Sequence, residues 1–427
     1  MQYSTFAAID IGSYDVILEI FEISKKQGIR SVDKICHRME LGKDTYTLGK
    51  IRPEMEEELC RVLADFVRIM EGYRVDDYRA TASSAISEAS NSLYVLGKIH
   101  QLTGLSVTVL SNSEQRFLSY KALAAMEDNF NKIIEKGTAI LDLDGGSFQI
   151  SLFDKDALVT TQNIRMGSLR IRERLAGIQS ETEHYEEMVE ELIWNEVSSF
   201  KKMYLKDRKI ENIMLIGDVF TDSVYQNIEE KTTKIISREN FNTWYEKIIR
   251  QSPMELAVKL GIPLENASLM YPSAVIYKCL IDMMGAEHIW IPGVHMTRGI
   301  AYEYAEQMKL LKGGHNFEND ILMAAKNIGK RYAVNRPHVQ NLEMTALAMF
   351  DATKKMHGMK ERERLLLQMA VMLHDVGKYI SFNNVADSSY NIIMSNEIIG
   401  LSHIEREMVA SVSYTHLRAH ETLANLV

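Results

Sequence analysis

The chain has 427 residues, of which 46% are hydrophobic and 25% charged, and at about 150 residues per domain this length predicts two or three domains. This balance excludes whole-chain disorder, a collagen-like fibre and a coiled-coil rod. No run approaches the ~18 consecutive apolar residues of a membrane span, and a net charge of -9 argues against a broad basic face for nucleic acid. A polyanionic ligand stays compatible with this charge, because backbone N–H groups at glycine turns hold phosphates without adding formal charge.

The cysteines and the first residues of the chain indicate in which cellular compartment the protein is found. Cys36, Cys60 and Cys279 are odd in number and widely spaced, without metal-like pairing. The opening segment MQYSTFAAIDIG has no basic region before its apolar residues, so it does not resemble a signal peptide. These features predict buried reduced thiols in a cytoplasmic protein, with neither a nucleic acid nor a membrane as partner.

The first predicted element is a β-hairpin over residues 6–22, in which two apolar arms flank a short run of turn formers. A second stretch over residues 139–154 repeats this pattern. At an ungapped offset of 132 residues, Asp10 falls on Asp142. We interpret the repeat as a duplicated half-domain that begins with a strand, a sharp turn and a returning strand.

Helices and further strands follow the hairpins. Apolar residues recur at helical spacing over residues 53–72, 113–128, 181–204 and 254–261. Short apolar runs predict strands over residues 213–216 and 289–291. The alternation of strands and helices around a duplicated hairpin predicts an α/β protein with two lobes, residues 1–127 and residues 128–306.

Beyond residues 312–315 the chain changes character and loses the strand pattern, which predicts a separate, truncated all-helical domain over residues 316–411. Residues 412–427 resemble translated sequencing-adapter DNA, and we interpret them as a non-native tail. The alternative is a genuine C-terminal helix with His416 and His420 at i, i+4, a spacing that can bind zinc.

The two hairpin turns have a composition that suits phosphate binding. An Asp that ends a buried strand and precedes Gly and Ser places backbone N–H groups, a hydroxyl and a carboxylate at one turn. The carboxylate can hold a divalent metal ion. One such turn is explained by a plain hairpin, whereas two facing each other across a cleft form a clamp for phosphates.

At these turns the sequence resembles the exopolyphosphatase/guanosine pentaphosphate phosphatase (Ppx/GppA) family of the actin-like ATPase superfamily. The matching segments, in chain order, are AIDIGS (8–13), ASSAISEASN (82–91), VLSNSE (109–114), LDLDGGS (141–147), IRMGSLR (164–170) and MTRGI (296–300). Their order and spacing agree with the family over residues 5–305. The resemblance implies two actin-like lobes (RNase H-like, ASKHA superfamily) around a cleft, and the helical extension resembles an HD-type domain.

The resemblance implies hydrolysis of a terminal phosphoanhydride, on inorganic polyphosphate or on the stringent-response alarmone pppGpp, with Mg2+ as cofactor. It implies that Glu114 is the general base that activates water. The residues themselves offer another explanation, because Ser111 and Glu114 also match a capping box at a helix start. The phosphate-binding residues it implies are Gly12, Ser13, Gly145, Gly146 and Ser147. The metal ligands it implies are Asp10 and Asp142, and Asp144 is a further candidate ligand at a position where the family differs.

Several positions depart from the family. Tyr14 stands where the family has Asn, and Gln149 stands where it has a glutamate. Asp144 replaces a glycine, and it either substitutes for the lost carboxylate or repels a phosphate. Ser87 replaces an arginine that is expected to bind phosphate through bidentate hydrogen bonds. The glycine-rich motif of the second lobe is reduced to Gly217.

In the helical domain, His338 and the pair His374-Asp375 match the first ligands of HD phosphohydrolases. Asn384 and Asp387 stand where relatives often carry histidines. We therefore predict a structural or ligand-sensing domain without a working metal site, through which the protein could form a homodimer.

Two other functions remain open. The first is a catalytically weakened regulatory protein that binds polyphosphate or an alarmone, favoured by Gln149, Ser87 and the reduced motif at Gly217. The second is an actin-fold ATPase or kinase. The lack of a Gly-Gly-rich adenosine loop after Ile216 argues against it.

Overall fold

The computed structural model describes residues 4–126, 130–155, 157–176, 185–227, 234–311 and 315–424. The chain divides into two units. The first consists of Met1–Asp156 and Asn163–His315, and the second of Ala157–Gln162 and Asn316–Val427.

The first sheet contains the first predicted hairpin. Its five strands are β1 (Ser4–Ile11), β2 (Asp15–Ser24), β3 (Gly28–Arg38), β4 (Asp77–Ala82) and β5 (Val107–Val109). They lie in the order β3–β2–β1–β4–β5. β1 pairs antiparallel with β2 and parallel with β4, where Asp10 lies opposite Thr81. Asp10 thus sits near the carboxyl end of the central strand, the end at which α/β sheets bind ligands.

The second sheet repeats this arrangement. Its six strands are β6 (Thr138–Leu143), β7 (Phe148–Asp154), β8 (Ala157–Ile164), β9 (Asn212–Ile216), β10 (Ile235–Ser237) and β11 (His288–Trp290), in the order β10–β11–β9–β6–β7–β8. β6 pairs antiparallel with β7 and parallel with β9, so that Asp142 lies opposite both Gln149 and Ile216. Asp142 therefore occupies in β6 the position that Asp10 occupies in β1, as the repeat predicts.

Thirteen helices are described in the first unit: α1 (Leu41–Leu48), α2 (Pro53–Gly72), α3 (Ser84–Ser87), α4 (Ser92–Thr103), α5 (Asn112–Met126), α6 (Phe130–Ile134), α7 (Ser168–Leu175), α8 (Tyr185–Phe200), α9 (Val219–Asn227), α10 (Arg238–Ile249), α11 (Pro253–Leu260), α12 (Leu264–Met284) and α13 (Met296–Gln307). The predicted helices correspond to α2, α5, α8 and α11. Of the predicted spans, residues 127–128 and 181–184 lie outside the described residues. A π-helical turn (Lys201–Leu205) follows α8.

β1 is buried on both faces, and this fixes the position of its first turn. Ile9 belongs to a core that β1 and β2 share with α2 and α4. Phe6 belongs to a second core with α5 and α13, where its ring stacks on Tyr304 at 4.1 Å between centroids. Strands buried on both faces are typical of parallel α/β sheets, and this double anchoring holds the turn after Ile11 rigid.

The second unit is helical over its described residues 316–424. Its helices are α14 (Phe317–Arg331), α15 (Arg336–Ala352), α16 (Lys354–His357), α17 (Glu361–Leu373), α18 (Val385–Ser395) and α19 (His403–Ala424), with a 3-10 turn at Val376–Tyr379. The non-native origin of residues 412–427 stays a prediction, and 412–424 form the last turns of α19. The side chains of His416 and His420 lie outside the described part of the chain.

Two further observations concern the cysteines and membranes. Cys36 is exposed, Cys60 buried and Cys279 partly buried. The prediction of buried thiols is therefore wrong for Cys36, because β3 is an edge strand whose residues alternate toward solvent. In the described ranges of the chain, no helix is both long enough and apolar enough to cross a lipid bilayer.

Candidate functional site

The structure brings the two predicted phosphate turns together. The first turn is closed by the Gly12 N–H, which donates to Asp15 O at 2.8 Å, and the second by the Asp144 N–H, which donates to Ser147 O at 2.9 Å. Gly145 of the second turn packs against Ser13 of the first. The two turns therefore lie in direct contact, and their role as a phosphate clamp stays a prediction.

Tyr46 of α1 fills the junction between the turns. Its hydroxyl lies 2.7 Å from Ser13 Oγ and 2.8 Å from Ser84 Oγ. Gly146 has no room for a side chain, because a Cβ there would lie 2.6 Å from Ser84 Oγ and against the Tyr46 hydroxyl. The Arg170 guanidinium lies 3.9 Å over the Tyr46 ring. Burial raises the pKa of Tyr46 to about 12, so a neutral phenol occupies the junction.

Beside the turns a cleft opens between the two sheets. Among the described residues, its charged lining consists of Asp10, Asp15, Asp142, Asp144, Asp222, Lys34, Arg38 and Arg116, with His295 at its edge. Carboxylates outnumber cations, so a phosphate that enters needs a cation, a protonated carboxyl or backbone N–H groups as partners.

Burial shifts the protonation of these carboxyls. It raises the pKa of Asp10 well above its usual range, and the neighbouring Asp15 and Asp144 raise it further. Burial also raises the pKa of Asp15 to about 6, against the opposing effect of Arg38 at 2.9 Å. The pKa of Asp142 is raised by burial and lowered by Arg116. Each of these carboxyls is thus stabilised by a proton or a cation.

The donor set fits a magnesium ion in part. Asp10 Oδ1 and Asp142 Oδ2 are buried and have no hydrogen-bond partner among the described residues. Asp144 differs, because its Oδ1 accepts the Gly145 N–H at 2.6 Å and its Oδ2 accepts from Gln115 at 3.4 Å. Within the described ranges, no three His, Cys, Asp or Glu side chains are arranged to hold a metal ion. Because Mg2+ is usually bound by one or two carboxylates together with substrate phosphates, Asp10 and Asp142 suit an ion that binds with the substrate.

Glu114 lies at the start of α5 and forms the capping box. Its Oε2 accepts the Ser111 N–H at 3.0 Å and the Ser111 hydroxyl at 2.7 Å, and its own N–H donates to Ser111 Oγ at 3.3 Å. The next two residues, Gln115 and Arg116, line the cleft. Glu114 itself is not among the described residues that line the cleft, and its carboxylate is bound to its own helix start, so its role as general base stays a prediction.

The departures from the family have clear positions. Ser87 is exposed, and its hydroxyl contacts only Ser84 O, at 3.5 Å, among the hydrogen bonds of the described residues. Gly217 lines the cleft with φ +103°, and a Cβ there would lie 2.6 Å from both Asp142 Oδ1 and Leu143 O. The single remaining glycine therefore still permits a close approach of the backbone to the β6 carboxylate.

Sequence reasoning missed three residues of this site. It assigned no role to Tyr46, Arg116 or His295, although the first fills the turn junction and the other two line the cleft. The His295 ring lies 3.5 Å from Asp222, and burial lowers the pKa of this histidine. Of the three, only Arg116 could have been found from the sequence. It follows the predicted general base Glu114 by two residues on a predicted helix, which makes a place near the site expected.

Asp218, next to Gly217, makes stability depend on pH. It is 2% exposed, and burial raises its pKa to about 7, although hydrogen bonds from Thr221 and Tyr277 oppose the shift. In the unfolded chain an Asp titrates near ~3.9, so the folded state binds more protons between these values. The stability contributed by this carboxyl therefore falls as pH rises from about 4 to 7, by at most ~1.4 kcal/mol per pH unit.

We expect Asp218→Asn to gain stability relative to wild type as pH rises. The unfolding free energy of the variant minus that of wild type should be smallest near pH 4.5 and should increase by roughly several kcal/mol by pH 8. The reason is that the amide stays neutral throughout, whereas the Asp218 carboxyl must ionise in its buried site. Urea unfolding of both proteins at pH 4.5, 6 and 8 measures this difference. A constant difference across these pH values would show that Asp218 does not titrate in this range.

The helical unit brings together its three predicted residues. The rings of His338 and His374 lie 5.5 Å apart, and His374 Nδ1 lies 2.8 Å from Val371 O. Burial lowers the pKa of His374. Asp375 Oδ2 accepts from Lys378 at 3.0 Å. The identity of this unit as an HD-like domain stays a prediction.

We expect this unit to hold no catalytic metal. A hydrolytic HD site needs a further carboxylate beyond these ligands, and Asn384 lies at the N-terminus of α18 with an amide that binds transition metals weakly. Elemental analysis of protein purified without added metal should show no stoichiometric manganese, iron or zinc. One ion per chain that is lost in His374→Ala would contradict the prediction.

Comparisons with known proteins support the family resemblance and the fold. The sequence model of the Ppx/GppA phosphatase family matches residues 20–308, and that of Ppx/GppA phosphatase domain III matches residues 322–426. The bifunctional 3-dehydroquinate synthase/phosphatase of Fusobacterium nucleatum is 21% identical over 310 residues, which is 66% of this chain and 44% of that relative. The chain thus spans less than half the length of that relative.

Two further proteins are similar over more of their length. The guanosine-5'-triphosphate,3'-diphosphate pyrophosphatase of Vibrio atlanticus is 18% identical over 415 residues, 96% of this chain and 80% of that relative. The crystal structure of an exopolyphosphatase from Cytophaga hutchinsonii superposes with a TM-score of 0.62 at 17% identity, covering 71% of this chain and 98% of that one. The predicted fold, two actin-like lobes followed by a helical part, is confirmed.

Proposed function

The chain belongs to the Ppx/GppA phosphatase family, and we propose that it hydrolyses a terminal phosphoanhydride bond of inorganic polyphosphate or pppGpp. The observation that carries this proposal is the meeting of two Asp-Gly-Ser-type turns, from β1–β2 and β6–β7, beside a cleft with buried carboxylates. The names of the Vibrio and Cytophaga proteins support the same substrate classes.

The cleft has the groups that phosphoryl transfer needs. Charge grows on the phosphoryl oxygens in the transition state, so fixed N–H donors and cations at the turns accelerate the reaction. Asp10 and Asp142 would hold Mg2+, which neutralises phosphate charge when bound. Glu114, two residues before the cleft-lining Arg116, would accept a proton from the attacking water after releasing its hydrogen bonds to Ser111.

A second candidate is a regulatory protein that binds these compounds without rapid turnover. Two observations favour it: the Tyr46 hydroxyl fills the turn junction, and the Glu114 carboxylate caps its own helix. An ATPase or kinase is a weaker candidate, since Gly217 is the single glycine of the loop after β9. A homodimer and a cytoplasmic location stay predictions.

The test compares three substrates. Phosphate release is measured from polyphosphate, pppGpp and ATP, each with Mg2+ and with EDTA, alongside equilibrium binding. Release from polyphosphate or pppGpp at more than tenfold the ATP rate supports a hydrolase. Tight binding without release supports the regulatory protein, and release from ATP alone contradicts both.

A further inference from the structure

Arg116 is a buried cation at the second turn. It lies on α5, is 3% exposed and lines the cleft. Its Nη1 donates to Asp142 Oδ1 at 2.5 Å, and its Nη2 donates to Ser147 O and Ser147 Oγ, both at 3.2 Å. The guanidinium therefore connects the β6 carboxylate to the turn that the family resemblance assigns to phosphate.

Arg116 retains donors that these contacts do not use. A guanidinium carries five N–H groups, and the contacts to Asp142 and Ser147 occupy at most three of them. Its Nε is buried without a hydrogen-bond partner among the described residues. A buried, unsatisfied N–H of a charged group is unfavourable, so an acceptor that enters the cleft would bind there. Phosphate oxygens, like carboxylate oxygens, match the planar guanidinium and form charge-assisted hydrogen bonds with it.

The other arginines near the turns form hydrogen bonds or ion pairs with protein groups. Arg170 donates through Nε to Gly146 O at 2.9 Å and through Nη2 to Glu88. Arg38 pairs with Asp15 at 2.9 Å. Position 87, where the family resemblance expects a phosphate-binding arginine, holds an exposed serine.

We propose that Arg116 binds a phosphate group of the substrate through the N–H groups that its contacts to Asp142 and Ser147 leave unused. This assignment rests on the proposed function and specifies one phosphate contact of the same cleft. Arg116 then has two roles: it neutralises Asp142 and presents its unused N–H groups to a phosphate.

The experiment separates phosphate binding from simple neutralisation of Asp142. Affinity for tripolyphosphate is measured by calorimetry, with Mg2+ and with EDTA, for wild type, Asp142→Asn and the double variant Arg116→Gln/Asp142→Asn. The double variant contains no unpaired buried charge at this position, so it avoids the penalty of a lone carboxylate. If Arg116 binds phosphate, the double variant should bind tripolyphosphate about ten- to a hundredfold more weakly than Asp142→Asn does. This range is the scale of hydrogen bonds to charged groups.

A partly buried ion pair outside the cleft provides the control. Arg172 donates to both oxygens of Glu40 at 2.7 and 2.8 Å and does not line the cleft. The double variant Arg172→Gln/Glu40→Gln should bind tripolyphosphate within twofold of wild type. Circular dichroism and thermal unfolding establish that each variant is folded.

Three outcomes decide whether Arg116 binds phosphate. Equal affinity for tripolyphosphate in Asp142→Asn and in the double variant overturns this assignment and leaves Arg116 only as the counter-ion of Asp142. If the double variant does not fold, Arg116→Lys replaces it, because lysine keeps the charge without the bidentate donors. A loss of at least fivefold in Arg116→Lys then supports the assignment, and no loss overturns it. Absence of tripolyphosphate binding by wild type in both buffers contradicts the proposed function itself.

Discussion

Glu114→Gln is expected to lower phosphate release at least ~100-fold, the usual scale for loss of a general base. An amide cannot accept the proton of the attacking water, whereas it can still accept the hydrogen bonds from Ser111 that start α5. The fold should therefore survive. Steady-state release from polyphosphate and pppGpp with Mg2+ gives kcat for both proteins, and binding of tripolyphosphate should change little.

A second capping box separates catalysis from helix capping. At the start of α11, Glu255 Oε2 accepts the Ser252 N–H at 2.8 Å and its hydroxyl at 2.9 Å, a geometry that matches the box at α5. Glu255→Gln should lower stability by an amount similar to Glu114→Gln, at most about 1 kcal/mol, and leave phosphate release unchanged. Turnover by Glu114→Gln above half the wild-type value would remove Glu114 from the mechanism.

Gly146→Ala is expected to weaken tripolyphosphate binding at least tenfold. The new methyl group would lie 2.6 Å from Ser84 Oγ and against the Tyr46 hydroxyl, so these hydroxyls or the second turn itself must shift, which disturbs the junction between the turns. Since a phosphate clamp depends on the backbone of both turns, this movement removes donors from the ligand. Tyr46→Phe in the same chain removes one of the two colliding atoms and should restore part of the affinity.

Gly97→Ala is the matched control for this substitution. Gly97 lies within α4, and among the described residues a Cβ there would meet no atom within 4 Å outside its own stretch of helix. The added methyl group should stabilise the helix by up to about 1 kcal/mol and leave tripolyphosphate binding unchanged. Wild-type affinity in Gly146→Ala would show that the two turns do not form the phosphate site.

Local sequence patterns determined the framework of the site. Apolar arms on either side of a run of turn formers defined β1, β2, β6 and β7, and the repeat placed Asp10 and Asp142 at equivalent strand positions. Helical spacing found α2, α5, α8 and α11. These features depend on neighbours within a few residues, so continuous apolar runs for the buried strands and helical spacing for the helices are enough to select them. The edge strand β3 was not predicted, because its apolar residues Ile29, Val32 and Ile35 do not recur at the period of two that marks a strand.

Only the tertiary structure decided the chemistry between these elements. The Arg116–Asp142 pair joins α5 to β6, and the Tyr46 hydroxyl joins α1 to Ser13 and Ser84. No periodicity encodes such contacts, because they depend on how helices from different parts of the chain pack around two sheets. The raised pKa values of Asp10 and Asp142 have the same origin. Burial is a property of the packed protein, so the charge of a carboxyl cannot be read from its place in the sequence.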